Sequence, residues 1–201
     1  MIRALVLSCT LRRSPSTSNT EALARVVTDF LEREGVIVEM VRLVDHDIRP
    51  GVSSDEGGGD EWPAIHAKIL SSQILVMASP TWLGQPSSIA QRALERMDAM
   101  LSEEDDEGRP VAYNRVAGFV VTGNEDGAHH VIAEMAGPLM DIGFTVPGQA
   151  WTYWNMGPGP GPSYLDTDHK HDWSKETGEA AAANLLAVAR ALERTPIPPN
   201  S

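Results

Sequence analysis

Short apolar runs alternate along this sequence with segments that repeat their apolar residues at helical spacing, and this alternation restricts the possible folds more than any other feature. The runs are rich in Val, Ile and Leu, and they are apolar almost throughout rather than at every second residue. Strands of that kind are buried on both faces, which requires a parallel sheet with helices packed on each side. The sequence therefore predicts a three-layer α/β fold.

Five strands and five helices are predicted from this alternation. The strands are Ile2–Ser8, Val36–Leu43, Gln73–Ser79, Arg115–Thr122 and the less regular Phe144–Tyr153. The first helix is predicted to begin after Ser18, which stands at capping-box spacing from Glu21, and to stop at Gly35. The other predicted helices are Pro63–Ser71, Ser87–Leu101, Gly127–Ile142 and about Lys175–Glu193.

Three segments do not fit the alternation. Val52–Glu61 and Ser102–Pro110 are acidic and contain glycine, and both are interpreted as solvated loops. Trp154–Trp173 has no obvious regular structure and is longer than the roughly 12 to 15 residues of an ordinary loop. Because its aromatic residues argue against simple disorder, this segment is interpreted as a lid or a binding loop.

Length and charge restrict the organisation and the partners of the chain. Its 201 residues, 42% of them hydrophobic, are enough for one compact domain and too few for two typical ones, so we expect one domain over residues 1–201. A formal net charge of −12 repels phosphate backbones and anionic lipids, so neither nucleic acid nor a membrane is expected as a partner. Small molecules and further copies of the chain are the expected partners, with a homodimer as the default oligomer.

The single cysteine, Cys9, excludes an internal disulfide framework and a cysteine-rich zinc cluster, and it fits a reducing compartment. No apolar stretch approaches the roughly 18 residues that a membrane span needs. The first residues also do not have the pattern of a secretory signal. A cytoplasmic location is the resulting expectation.

The segment SCTLRRSPSTSNT, residues 8–20, follows the first predicted strand and opens the first predicted helix. Ligands of open parallel sheets bind at the carboxyl ends of the strands, where a helix N-terminus has free N–H groups and the positive end of its dipole. The segment offers the free backbone amides of Asn19 and Thr20. It also offers polar side chains, those of Ser8, Thr10, Arg12, Arg13, Ser18, Asn19 and Thr20. Because glycine patterns of dinucleotide and triphosphate sites are missing, a phosphate monoester is the predicted ligand group, with simple helix capping as the alternative.

Two further polar loops are predicted at the same edge of the sheet. The segment SPTWLGQPSS follows the third predicted strand. Its Gly84 would let the backbone approach a flat ring of a ligand closely. Trp82 is interpreted either as a face on which that ring stacks or as a buried structural side chain. VTGNEDGAHH follows the fourth. Together the three loops describe an elongated pocket with a phosphate at one end and a polar ring system at the other, which suits flavin mononucleotide (FMN).

Four stretches resemble the signatures of the flavodoxin-like NAD(P)H-dependent FMN reductase and quinone reductase families, in order and at similar spacing: CTLRRSPSTSNTEAL, SPTWLGQPS, VTGNEDGAHH and YWNMGPGPGPSYLD. The resemblance covers nearly the whole chain. It implies a flavodoxin-like three-layer sandwich around a five-stranded parallel sheet of order 2-1-3-4-5, with FMN at the switch point between strands one and three.

The resemblance also implies roles for individual residues. The FMN phosphate would be held by Thr10, Arg12, Ser18, Asn19 and Thr20. The isoalloxazine ring would be lined by Pro80, Thr81, Trp82, Leu83 and Gly84, and its pyrimidine side by Thr122, Gly123, Asn124 and Gly127. The first loop departs from the G-S-P-R start of many relatives, which leaves the choice between Arg12 and Arg13 open.

Chemistry in such a protein comes from the cofactor, so no catalytic side chain and no metal ligand is predicted. NAD(P)H is expected as the co-substrate, and a quinone, flavin, nitro or azo compound as the acceptor. The alternative is a flavodoxin-type electron carrier without substrate turnover of its own, which the acidic charge would suit. Tyr153, Trp154 and Tyr164 are candidates for the acceptor site or a dimer contact. His129 and His130 are interpreted as capping or surface residues, with substrate contact as the alternative.

Overall fold

A parallel sheet forms the centre of the computed structural model, which describes residues 1–199. Its strands are β1 (Arg3–Ser8), β2 (Ile37–Arg42), β3 (Ile74–Trp82), β4 (Gln85–Pro86), β5 (Val116–Gly123) and β6 (Trp151–Asn155). The order is β2-β1-β3-β5-β6, all parallel, and the short β4 pairs antiparallel with the end of β3. The predicted α/β class and flavodoxin-like architecture are confirmed.

The predicted strand count differs from the structure because of β4. Leu83 and Gly84 both have positive φ, 52° and 73°, and this two-residue turn folds the chain back so that Thr81 pairs with Pro86. The expected order 2-1-3-4-5 therefore becomes 2-1-3-5-6 when the strands are numbered along the chain. The five long strands keep the expected neighbours.

The last strand lies further along the chain than predicted. The segment from Phe144 to Ala150 is irregular, apart from an isolated bridge between Thr145 and Val116, and the strand starts only at Trp151. Pro147 and Gly148 explain the shift, since proline removes a ladder hydrogen bond and glycine weakens a strand.

Five helices cover the two faces of the sheet: α1 (Asn19–Arg33), α2 (Trp62–Leu70), α3 (Ser88–Met97), α4 (Ala128–Ile142) and α5 (His171–Arg194). Leu5 and Leu7 of β1 belong to a core with α2, α3 and α4, whereas the alternating Ala4 and Val6 belong to a second core with α1 and α5. This alternation explains why the strands are apolar throughout. Among residues 1–199, no helix combines the length and apolarity that crossing a membrane requires.

Two predicted segments are more ordered than expected. Within Trp154–Trp173, residues Tyr164–Asp166 form a 3-10 turn and α5 already begins at His171. In the acidic segment Val52–Glu61, the carboxylate of Asp60 is fully buried and forms an ion pair with the equally buried Arg96, Nη2 to Oδ2 2.7 Å. Arg96 also donates to the carbonyl oxygens of Ser53 and Arg49, at 2.9 Å each. This loop is therefore fixed to α3 at its base rather than fully solvated.

Candidate functional site

A cleft opens at the carboxyl ends of β1, β3 and β5, where the predicted polar loops meet. The space between its walls is about 620 Å³, part of which is open solvent. It is lined by Thr10, Leu11, Arg12, Thr17, Ser18, Asn19, Thr20, Pro80, Thr81, Trp82, Thr122, Gly123, Asn124, Trp154, Ser163 and Tyr164. Eleven of the fourteen residues predicted to bind the cofactor are in this set.

The N-terminus of α1 forms one end of the cleft. Ser18 is the N-cap and its hydroxyl accepts from the Glu21 amide at 3.2 Å, but Glu21 does not return the bond, so the predicted capping box is only half formed. The first amides of the helix, those of Asn19 and Thr20, have no acceptor within it and are available to an anion. Arg12 stands on the same rim.

Two members of the predicted phosphate cradle lie elsewhere. The Ser8 hydroxyl donates to Glu21 Oε1 at 2.6 Å behind the loop. Arg13 lines a separate hollow with Leu43, His46 and Arg92. Of the two arginines that the sequence left open, the structure thus brings Arg12 to the cleft.

Four buried threonines line the cleft: Thr10, Thr20, Thr81 and Thr122. Thr20 Oγ1 and Thr122 Oγ1 lie 2.7 Å apart and satisfy each other. Thr81 Oγ1 is buried and has no hydrogen-bond partner among the described residues. A buried hydroxyl without a partner costs about 1 to 3 kcal/mol, so its position in the lining of the cleft fits a bound molecule with polar groups, such as a flavin phosphate.

The hairpin of β3 and β4 forms the outer rim. Trp82 lines the cleft and is 53% exposed, so it is not the buried structural ring that the sequence left open. Leu83, Gly84 and Gly127 do not line the cleft. Leu83 is 91% exposed, and Gly84 donates its amide to Glu125 Oε1 at 3.2 Å. Gly127 has φ +108°, and a Cβ there would lie 3.0 Å from Gly84 Cα, so these glycines allow the two loops to touch.

The segment from Met156 to Asp166 folds back over the cleft. The Gly161 amide donates to Asn124 O at 2.8 Å, and the Leu165 amide donates to Asn19 Oδ1 at 2.9 Å. Trp154 and Tyr164 pack edge to face at 5.7 Å between ring centroids, and both line the cleft. Ser163, which the sequence did not single out, lies beside them. Tyr153 instead contacts His129 and Trp173 outside the cleft.

The chemistry available in the cleft is binding and orientation. Its lining contains hydroxyls, amides, aromatic rings and one guanidinium, and no Asp, Glu, His, Lys or Cys among the residues that the structure describes. Cys9, which precedes Thr10 in the chain, is buried outside the lining, and burial raises the pKa of its thiol far above the usual value, which disfavours the nucleophilic thiolate. The site therefore suits a ligand that carries its own reactivity.

His129 and His130 are not part of the cleft lining. His130 Nε2 is 3.0 Å from Gln85 Nε2, and His129 packs edge to face on Tyr153 with centroids 4.9 Å apart. Within residues 1–199, no group of three or more His, Cys, Asp or Glu side chains is placed to hold a metal ion.

Comparison with known proteins places this cleft in a family context. The family model described as NADPH-dependent FMN reductase matches residues 2–158. An 8-demethyl-8-aminoriboflavin-5'-phosphate synthase from Streptomyces davaonensis is 37% identical over 206 residues, which cover 97% of this chain and 80% of that protein. A Mycobacterium bovis protein named divalent metal cation transporter MntH is 38% identical over 198 residues, 95% of this chain, but the chain spans only 29% of its length.

Solved structures agree with the fold. The crystal structure of RosB with bound 8-demethyl-8-formylriboflavin-5'-phosphate superposes with a TM-score of 0.91 at 36% identity, over 98% of this chain and 82% of that one. A short-chain flavodoxin superposes with a TM-score of 0.59 at 16% identity, over 94% and 99% of the two chains, a likeness of fold alone.

Proposed function

This chain belongs to the NADPH-dependent FMN reductase family of flavin-linked oxidoreductases, and we propose that it binds FMN in the cleft and transfers hydride from NAD(P)H to a small acceptor. Quinones, free flavins, nitro compounds and azo compounds are the proposed acceptor class. The observation that carries the proposal is the composition of the cleft lining within residues 1–199: anion-binding amides and Arg12 at one end, the Thr81 hydroxyl without a partner and the Trp82 ring at the other, and no acid or base between them.

Each part of the lining has a role in this proposal. The free amides of Asn19 and Thr20, together with Arg12, would hold the phosphate. Pro80, Thr81, Trp82, Gly123 and Asn124 would hold the ring system, and Tyr164 would exclude water from the roofed side. When bound, FMN supplies the hydride-accepting chemistry that these side chains lack. The exposed rim at Trp82 is where the nicotinamide and the acceptor would enter in turn.

A second candidate function follows from the relatives. The relative with 37% identity is named a synthase of 8-demethyl-8-aminoriboflavin-5'-phosphate, and the RosB structure with 36% identity contains 8-demethyl-8-formylriboflavin-5'-phosphate as a bound intermediate. The same cleft would then hold the flavin phosphate as a substrate rather than as a cofactor. The described part of the chain contributes no base to the lining for such a reaction, which favours the first candidate.

The test is an anaerobic reduction experiment on the purified protein loaded with FMN. We expect NADPH or NADH to bleach the visible absorbance of the flavin, an added quinone to restore it, and mass spectrometry to return unaltered FMN. Recovery of a flavin with a changed mass would favour the second candidate. Flavin that dithionite reduces but NAD(P)H does not would favour an electron carrier, and failure to bind FMN would overturn the proposal.

A further inference from the structure

Arg42 and Glu21 form an ion pair behind the β1–α1 loop (residues 9–18). Arg42 ends β2, and Glu21 lies in the first turn of α1. Two parallel hydrogen bonds join them, Nε to Oε1 at 2.7 Å and Nη2 to Oε2 at 2.5 Å. The two side chains are 14% and 19% exposed, so the pair is largely shielded from water. A bidentate pair of this kind fixes orientation as well as distance.

The remaining arm of Arg42 reaches the β1–α1 loop itself. Its Nη1 donates to Ser16 O at 2.8 Å and to Arg12 O at 3.3 Å. Carbonyl oxygens carry partial negative charge, so a loop that receives an anion must direct them away from it. Arg42 binds two of these carbonyls at once, and neither Arg42 nor Glu21 lines the cleft.

We infer that Arg42 and Glu21 are positioning residues that preorganise the β1–α1 loop for the phosphate monoester of the ligand without touching it. The inference rests on the proposed function, because it requires that the cleft receive FMN. Ser8 completes the arrangement by donating to the Glu21 carboxylate, which ties the loop to the end of β1. One guanidinium thus joins β2, α1 and the loop between β1 and α1.

The charges of the pair support positioning rather than attraction. Arg42 and Glu21 neutralise each other, so the pair offers little net charge to a phosphate. Burial alone would raise the pKa of Glu21, but the hydrogen bonds from Arg42 and Ser8 outweigh it and lower the pKa. If Arg42 were removed, Glu21 would remain as a negative charge without its ion-pair partner, in the same helical turn as the free amides of Asn19 and Thr20.

The test compares FMN with riboflavin, which lacks the phosphate. The dissociation constants of both are measured by flavin fluorescence for the wild type and for Arg42→Met, Arg42→Lys, Glu21→Gln and the double variant Glu21→Gln/Arg42→Met. The ratio of the riboflavin constant to the FMN constant reports what the phosphate contributes. We expect Arg42→Met to reduce this ratio about 10-fold to 100-fold, the equivalent of losing charge-assisted hydrogen bonds, while riboflavin binding stays within about twofold.

The other variants separate charge from geometry. The double variant removes the stranded Glu21 charge but not the misplaced carbonyls, so we expect its ratio to lie between those of the wild type and Arg42→Met. Arg42→Lys keeps the positive charge but cannot form two parallel hydrogen bonds to Glu21, so we expect its ratio to be intermediate as well. It provides a folded variant if Arg42→Met is unstable. Arg33→Met is the matched control, because it breaks the exposed Arg33–Glu179 pair of 3.1 Å at the far end of α1.

Three results would contradict the inference. Equal weakening of FMN and riboflavin in the Arg42 variants, which leaves the ratio unchanged, would reduce the pair to a structural contact, and wild-type affinity for both ligands would remove any role for it. A reduced ratio in Arg33→Met would show that α1 responds to any lost ion pair. A wild type that binds FMN no more tightly than riboflavin would instead overturn the proposed function, and the inference with it.

Discussion

The side-chain hydroxyls of Thr20 and Thr122 lie 2.7 Å apart, although the two residues are separated by 102 positions in the chain. Thr20 belongs to the first turn of α1 and Thr122 to the end of β5. Both are buried, and each satisfies the other. This contact therefore joins the α1 end of the cleft to the end of β5 without the help of a ligand.

Thr122→Val should destabilise the ligand-free protein, because valine keeps the shape but leaves the Thr20 hydroxyl buried and unpaired. We expect a loss of about 1 to 3 kcal/mol in the free energy of unfolding, measured by urea denaturation without FMN. Thr122→Ser keeps the hydroxyl and is the control. A loss as large in the serine variant would mean that the methyl group, rather than the hydrogen bond, stabilises this position.

Asn19→Asp should separate the two tasks of the Asn19 side chain. Aspartate keeps an acceptor for the Leu165 amide, now 2.9 Å from Asn19 Oδ1, but places a negative charge in the turn that would hold the phosphate. We expect the FMN dissociation constant to rise about tenfold or more and riboflavin binding to change little. Asn19→Ala, which frees the roof segment, should weaken both ligands. Unchanged FMN binding in Asn19→Asp would show that the phosphate binds elsewhere.

Much of this arrangement could be predicted from the sequence, because the buried strands of a parallel sheet are apolar throughout and their carboxyl ends must meet at one edge. That reasoning locates β1, β2, β3 and β5 within a few residues and brings eleven predicted residues into the cleft. It misses β4, which depends on Leu83 adopting a left-handed conformation that no local pattern signals. It also misses Ser163 and Arg42, whose positions depend on how distant segments fold back on the sheet.

Acidification should remove the stabilising contribution of Glu21. Its pKa is lowered in the folded protein, since hydrogen bonds from Arg42 and Ser8 outweigh the effect of burial. Because the pKa is lower in the folded state, the ionised carboxylate contributes its full stabilisation of the fold above the unfolded-state pKa of about 4.3. This contribution is lost as the pH falls from that value through the folded-state pKa. The free energy of unfolding of the wild type minus that of Glu21→Gln should therefore shrink across this window. A difference that does not change with pH would contradict the assignment.

Breaking the Arg96–Asp60 pair should cost far more than breaking a surface pair. Both side chains are fully buried, and Arg96 also stacks on Trp62 with its guanidinium carbon 5.6 Å from the ring centroid. Arg96→Met strands the Asp60 carboxylate, so we expect a loss of about 3 to 5 kcal/mol in the free energy of unfolding. Asp60→Asn/Arg96→Met should recover part of it. Arg33→Met, at an exposed pair, should cost at most about 1 kcal/mol.

Thr81→Val should have opposite effects on the free and the FMN-bound protein. The Thr81 hydroxyl is buried without a partner among the described residues, so valine of the same shape should stabilise the ligand-free protein by about 1 kcal/mol or more. If FMN supplies the missing partner, the variant should bind it more weakly. A ligand at a concentration one hundred times its dissociation constant stabilises the folded protein by about 2.7 kcal/mol. Thermal denaturation without FMN and with FMN at one fixed concentration therefore measures both the stability of the free protein and the strength of FMN binding. Thr122→Val should lower the ligand-free transition temperature where Thr81→Val raises it. If Thr81→Val destabilises the ligand-free protein, or leaves FMN binding unchanged, the hydroxyl does not face the ligand.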